Sequence, residues 1–221
     1  MSAITVPTAP PRILPAGDRS VLVATDDDAD LVAFIDLLRH ELPSGVDDFL
    51  PAAQTVLITM TDTADCRVVE QRLRELFRSA QASGGIGTAA QPDEIRTIPV
   101  RYDGPDLESV AAQLGITVRE VITAHTRALW RCAFIGFAPG FGYLETAEPG
   151  LAVPRRAEAR TSVPAGAVAL ADGYSAVYPR RSPGGWQLIG TTDVRMWDLG
   201  RAEPSLLRPG TRVRFTEAAL E

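Results

Sequence analysis

The sequence contains no lysine; all 22 basic side chains are arginine. Codon usage in a GC-rich genome explains this most simply, but the chemical consequence holds whatever its cause. A chain without lysine forms no Schiff base, offers no P-loop lysine, builds no Ser-Lys amidase centre and carries no biotin. Cysteine and histidine are nearly as scarce. Cys66 and Cys132 make neither a disulfide framework nor a metal knuckle, and a zinc site would need both of them to converge with His40 and His125. Both cysteines read as buried reduced thiols. A bilayer span needs about 20 consecutive apolar residues. The longest uncharged apolar stretch, Cys132 to Leu144, falls short of that and is broken by Gly136, Pro139, Gly140 and Gly142. No basic segment leading into an apolar one opens the chain, so the expectation is a cytoplasmic protein with no membrane partner. A basic excess is also missing. Residues 1–90 carry 13 acidic and 7 basic groups and residues 91–221 carry 15 of each. Phosphate-backbone binding needs a clear positive surplus, so no nucleic acid partner is expected.

What is present suits a folded chain. A hydrophobic content of 45% in 221 residues supplies a core for one large domain or two small ones. Met1 to Pro11, with three prolines and no charge, reads as a loose arm. Ser20 to Ala24 is a short apolar strand. Asp26 to Asp28 offer an N-cap to a helix whose Leu31, Phe34, Ile35 and Leu38 recur at helical spacing. Val46 to Leu50 and Thr55 to Met60 read as strands, and Ala64 to Ala80 as a helix with Val68, Leu73, Leu76 and Phe77 on its apolar stripe. Ile95 to Val100 would close a β-α-β-β-α-β order, that of a split, ferredoxin-like unit. The Gly- and Ala-rich stretch 81–92 marks the boundary, so domains of 1–90 and 91–221 are expected. Two short helices lead the second domain: Asp106 to Leu114, stopped by Gly115, and one opened by the capping box Thr117-Val118-Arg119-Glu120. Short strands follow at Arg131 to Phe137, Ala167 to Leu170, Ser175 to Tyr178, Trp186 to Gly190 and Arg212 to Phe215. Such spacing suits a small β-barrel or sandwich. The fold class is therefore α+β.

Three segments and one histidine attract chemical interest. In Phe134-Ile135-Gly136-Phe137-Ala138-Pro139-Gly140-Phe141-Gly142-Tyr143, aromatics alternate with glycine and proline, which break a regular strand. It reads as a packed barrel corner, as the floor of an apolar groove, or as both. In Ser182-Pro183-Gly184-Gly185-Trp186-Gln187, the Pro-Gly pair suits a type II turn that places Trp186 on the next strand. That segment is either a structural hairpin or a nest of backbone N–H groups for a carboxylate. Arg155, Arg156, Arg160, Arg180 and Arg181 crowd one stretch with only Glu158 and Asp172 to oppose them. Guanidinium forks bind carboxylate or phosphate, so this is an anion site or a solvated face. His125 follows Val121 and Ile122 on an apolar helical stripe, as a core residue or an acid/base.

In order along the chain, Ile98-Pro99-Val100, Gly104-Pro105-Asp106-Leu107, His125-Thr126, Gly136-Phe137-Ala138-Pro139-Gly140-Phe141, Pro154-Arg155-Arg156, Val163-Pro164-Ala165-Gly166 and Ser182 to Gly190 resemble one family. It is the 5-oxoprolinase B-subunit family, also labelled allophanate hydrolase subunit 1, which includes the sporulation-kinase inhibitor KipI. The resemblance implies a ferredoxin-like N-terminal domain and a cyclophilin-like β-barrel C-terminal domain. It also implies a partner, the C-subunit of the same complex, in a heterodimer or heterotetramer. The activity it implies is ATP-dependent opening of a small amide, 5-oxoproline, to glutamate. Magnesium is a further candidate beside ATP. Allophanate breakdown and histidine-kinase inhibition are the alternatives. No lysine means no Ser-Ser-Lys amidase, so the chain is expected to be incomplete as a catalyst alone. Carried onto this sequence, the resemblance and the local chemistry make His125, Arg155, Arg156 and Arg160 the catalytic candidates. The substrate-binding candidates are Phe137, Pro139, Gly140, Phe141, Ser182, Gly184, Gly185, Trp186 and Gln187, and no metal ligand is assigned. The family's usual Gly-Phe-Pro-Tyr is Gly140-Phe141-Gly142-Tyr143 here.

Overall fold

The computed structural model describes residues 10–25, 28–82, 95–148 and 150–218. The chain divides into two compact units, Met1–Pro92 and Asp93–Glu221. Most of the expected arm (all but Pro10 and Pro11) and most of the 81–92 boundary stretch lie outside the described residues, as do Asp26 and Asp27 of the expected N-cap.

In the first unit, β1 (Arg12–Pro15), β2 (Ser20–Ala24), α1 (Asp28–His40), β3 (Val46–Pro51), β4 (Thr55–Met60) and α2 (Cys66–Ala82) follow one another. The strands form an antiparallel sheet in the order β1-β2-β4-β3. Period-two alternation turns Val56, Ile58 and Met60 of β4 inward. Phe34 and Leu38 of α1 and Leu73 and Phe77 of α2 pack with them, and the Phe34 and Phe77 rings lie 5.3 Å apart. The α2 stripe is Val69, Leu73, Phe77 and Ala80, whereas Val68 is exposed. Spacings of four, four and three hold those four residues on one face, and Val68 falls a position to its side. Cys66 is exposed rather than buried, because it opens the helix on the solvent side.

The strand expected to complete this sheet does not join it. The edge beside β2 is taken by β1, a segment too short to show a periodic pattern. The 95–100 stretch belongs to the second unit, as β5 (Arg96–Val100). After it come α3 (Leu107–Leu114), α4 (Val118–Arg127), β6 (Trp130–Ile135), β7 (Gly142–Glu145), β8 (Arg160–Val163), β9 (Ala167–Ala171), β10 (Tyr174–Val177), β11 (Ser182–Gly184), β12 (Gln187–Thr191) and β13 (Arg212–Glu217).

Seven strands of this unit form a mixed sheet ordered β12-β9-β10-β7-β6-β13-β5, in which only β5 and β13 run parallel. Its two edges meet: Arg101 and Thr191 exchange backbone hydrogen bonds of 2.8 Å in each direction, nearly closing the sheet into a barrel. A side chain at Gly190 would put Cβ 2.4 Å from the Arg101 carbonyl oxygen, so this seam requires glycine. A separate ribbon of β8 and β11 lies beside the sheet.

The helices cover one face. The capping box of α4 is present: Glu120 N–H donates to Thr117 Oγ1 at 3.2 Å and Thr117 N–H donates to Glu120 at 2.7 Å. Gly115 ends α3 in the left-handed conformation. Leu107, Val110, Val121 and Ile122 pack on Val168, Leu170, Val177, Ile189 and Phe215 of the strands. The alternate residues of the same strands, Ala167, Ala169, Ala171 and Ala176, face a second cluster with Phe141, Tyr178 and Trp186. The candidate site is built on this second face.

Candidate functional site

Four small alanines make a floor, and aromatic side chains stand on it. The Phe141 ring lies 5.2 Å from Tyr178, 5.5 Å from Trp186 and 5.1 Å from Tyr143, all edge-on. Edge-to-face contact at these distances is the favoured geometry for rings and fixes their orientation. Tyr143 in turn stacks on Phe134 at 4.3 Å. Burial pushes the hydroxyls of Tyr143 and Tyr178 up from the usual phenol value, so both remain protonated donors at neutral pH.

The β8–β11 ribbon forms the polar edge of this cluster. Gly184 pairs with Arg160 and Ser182 with Val163, so four residues of β8 face three of β11 and a bulge lies on β8. Pro183-Gly184 is therefore part of a strand and not the expected type II turn. A Cβ on Gly184 would lie 2.3 Å from the Tyr178 hydroxyl. The missing side chain is what lets the phenol reach the ribbon. Two polar atoms here have no hydrogen-bond partner although they are buried: Ser182 Oγ and Arg160 Nη1. A buried donor left unpaired costs roughly 1–3 kcal/mol unless something satisfies it.

The arginines sort themselves by partner. Arg156 Nη1 and Arg160 Nη2 both donate to Asp106 Oδ1, at 2.8 and 2.7 Å. Leu188 N–H donates to Asp106 Oδ2 at 2.7 Å, and Asp106 N–H returns a bond of 3.0 Å to Leu188 O. Asp106 precedes α3 as its N-cap, but its side chain makes no cap bond and is spent wholly on these partners. Burial alone would raise its carboxyl. The bonds from Arg160 and Leu188 and the two guanidinium charges outweigh that and hold it below the usual carboxylate range. Arg155 stands apart, in an exposed pair with Asp172 at 3.1 Å. The Arg156 N–H donates to Gly185 O at 2.7 Å, and Gln187 Nε2 donates to Pro154 O at 3.1 Å. Those bonds lace the 154–156 segment to the 185–187 loop.

The sequence candidates thus divide. Phe141, Trp186, Ser182, Gly184 and Arg160 come together at the aromatic cluster and its ribbon. Arg156, Gly185 and Gln187 brace that edge from behind. Phe137 is 59% exposed and touches the cluster only at its rim, 5.2 Å from Phe141; Pro139 is exposed and Gly140 buried. His125 lies elsewhere, fully buried on the opposite face. Its Nδ1 is 2.7 Å from the Tyr102 hydroxyl, its Nε2 is 2.8 Å from Ser175 Oγ, and its ring stacks on Phe215 at 4.2 Å. Burial drives its pKa down to about 3, so the imidazole is neutral near pH 7. Asp106, Tyr143 and Tyr178 were not singled out from sequence. The signal for Asp106 was on view in Gly104-Pro105-Asp106-Leu107, where it read as a helix start. Among the described residues no group of three or more His, Cys, Asp or Glu side chains could hold a metal ion. No helix among them is long and apolar enough to cross a membrane.

The fold and its matched span, residues 11–207, define the class: a carboxyltransferase domain, subdomains C and D. Curated relatives narrow it further. The 5-oxoprolinase B-subunit of Haemophilus influenzae is 37% identical over 160 residues, 71% of this chain and 72% of that protein. That of Escherichia coli O157:H7 is 48% identical over 121 residues, 53% of this chain and 56% of that protein. The chain belongs to the 5-oxoprolinase B-subunit family. Its match spans little more than half the length of the Escherichia coli relative. Among solved structures, TTHA0988 superposes with a TM-score of 0.72 at 35% identity, over 92% of this chain and 40% of that one. PH0987 from Pyrococcus horikoshii gives 0.54 at 32% identity, over 94% and 97%. The Kluyveromyces lactis urea amidolyase, at 18% identity, shares the fold with a TM-score of 0.72.

Proposed function

We propose that this chain is one component of an ATP-dependent hydrolase that opens 5-oxoproline to glutamate, working with a C-subunit partner in the cytoplasm. The observation that supports it most directly is the 37% identity to a 5-oxoprolinase B-subunit across 71% of the chain. In this reading the first unit is ferredoxin-like and the second cyclophilin-like, with a boundary near residue 90. The edge order β1-β2-β4-β3 with two helices supports the first label, and the nearly closed seven-stranded sheet supports the second.

The site chemistry agrees with a small cyclic amide carrying a carboxylate. A flat five-membered ring fits an alanine floor with Phe141, Trp186 and Tyr178 as walls. The substrate carboxylate would satisfy Arg160 Nη1 and Ser182 Oγ, the two buried atoms that otherwise lack partners. Asp106 holds Arg160 in place, and the Tyr178 hydroxyl is a further donor towards the ring. A lactam is an unreactive amide, and phosphorylating its oxygen would make ring opening feasible. Guanidinium groups near the developing charge would stabilise that step. The described residues offer no carboxylate cluster that fits Mg2+, so no role in this chain is assigned to it.

The test is co-expression with the C-subunit and an assay of 5-oxoproline-dependent ATP hydrolysis. Turnover by the assembled complex and none by this chain alone is expected. A complex that forms and hydrolyses ATP equally well without 5-oxoproline would overturn the substrate.

A further inference from the structure

A second polar cleft of the barrel unit lies away from the aromatic cluster. It has a volume of about 730 Å3 and is lined by Arg96, Arg201, Glu203, Ser205, Arg208 and Thr211, among others. Arg96, Arg201 and Arg208 line it with a single carboxylate, that of Glu203, in a half of the chain that carries 15 basic and 15 acidic groups in all. We propose that this cleft binds an organic phosphate, with Arg201 and Arg208 as the groups that grip it.

Three observations carry this. Arg201 Nη2 donates to Arg195 O at 2.7 Å, which fixes the guanidinium plane, while its Nη1 is buried with no hydrogen-bond partner. A fixed fork with one arm unsatisfied is half of a bidentate site for an oxyanion. Arg208 pairs with Glu203, but both side chains are more than half exposed, so the ion pair is weak and a doubly charged ligand can compete for the guanidinium. Thr211 Oγ1 accepts from Arg208 N–H at 3.0 Å, which leaves its proton to donate into the cleft. A volume of about 730 Å3 is far larger than a phosphate ion needs and leaves room for an organic group on it. Leu206 and Pro209 provide the apolar surface for that group.

The site uses none of the residues assigned to the lactam, so either reading can fail alone. Isothermal titration of the full chain at low salt, with adenosine monophosphate, pyrophosphate, inorganic phosphate and citrate as probes, tests it. The expected result is saturable binding of adenosine monophosphate, tighter than inorganic phosphate, weakening as salt screens the charges. Arg208→Gln and Arg201→Gln should each weaken it at least about tenfold, the loss of one charge-assisted contact. Arg208 is exposed, so that variant keeps its melting temperature even if Arg201→Gln does not. No binding, binding unchanged in Arg208→Gln, equal binding of inorganic phosphate, or preference for citrate would each overturn the proposal.

Discussion

Arg160 Nη2 donates to Asp106 Oδ1 at 2.7 Å across 54 residues of sequence, and this contact holds in place a guanidinium whose other arm, Nη1, is buried without a partner. Asp106 is 3% exposed and also takes Arg156 and the Leu188 N–H, so one carboxylate ties α3, β8 and β12 together at the rim of the aromatic cluster. The stability and the chemistry of this edge therefore share one residue.

Asp106→Asn keeps the shape and most of the acceptor geometry but removes the charge that two guanidiniums face. It should cost roughly 1.5–3 kcal/mol, the range for hydrogen bonds to charged groups, because both arginines stay partly hydrated and recover some solvation. Urea denaturation with an unchanged slope and a lower midpoint is the expected result. A midpoint equal to the parent's would show that the cluster is dispensable for folding.

Gly184→Ala probes the close approach of the ribbon to Tyr178. The new Cβ would sit 2.3 Å from a hydroxyl on a side chain only 2% exposed, which has no room to swing aside. Overpacking of this kind costs about 1–3 kcal/mol. Tyrosine fluorescence and the melting temperature should both change, whereas Gly173→Ala, with nothing within 4 Å of its Cβ, should move only the latter, through its positive φ.

The buried histidine makes a pH prediction. His125 binds a proton with a pKa of about 6.5 when unfolded and about 3 when folded. The unfolded chain therefore holds more protons below pH 6.5, and stability falls as pH drops from there towards 3. Above pH 6.5 this contribution is complete and flat. Asp106 adds its own loss only lower, as pH falls through the range below its ordinary carboxylate value. Denaturation midpoints between about pH 7 and about pH 4.5 should fall for the parent and stay flatter in His125→Leu. The variant itself should be less stable near pH 7, since it leaves the Tyr102 hydroxyl and Ser175 Oγ without their partner.

Much of the fold was legible because it is written in local periodicity. Leu31, Phe34, Ile35 and Leu38 mark α1, the Thr117–Glu120 box marks the start of α4, and alternation marks β4. The partner of a strand is not written locally. Ile98 and Val100 alternate as well for one sheet as for another, and only the assembled core places β5 beside β13. The strands β1, β7, β8 and β11, of three or four residues each, are too short to show a period. The site behaved likewise. Arg155, Arg156 and Arg160 were visible as a dense run of one charge, but their division into an exposed pair and a buried cluster depends on Asp106 and Asp172, which lie at other points of the chain. The Asp106 carboxylate was hidden by its reading as the start of a helix. Tyr178 was hidden because its reach to Gly184 exists only after β8 and β11 pair.

In the proposed site Arg160, and not its neighbour Arg155, meets the substrate. The most direct measurement is 5-oxoproline-dependent ATP hydrolysis by complexes carrying Arg160→Lys or Arg155→Lys, each beside its melting temperature. Lysine keeps the charge and loses the planar fork. The expected result is a ten- to hundredfold loss, on the order of one charge-assisted hydrogen bond, for Arg160→Lys, and activity near the parent's for Arg155→Lys. Equal activity in the two variants, or a loss confined to Arg155→Lys, would contradict it.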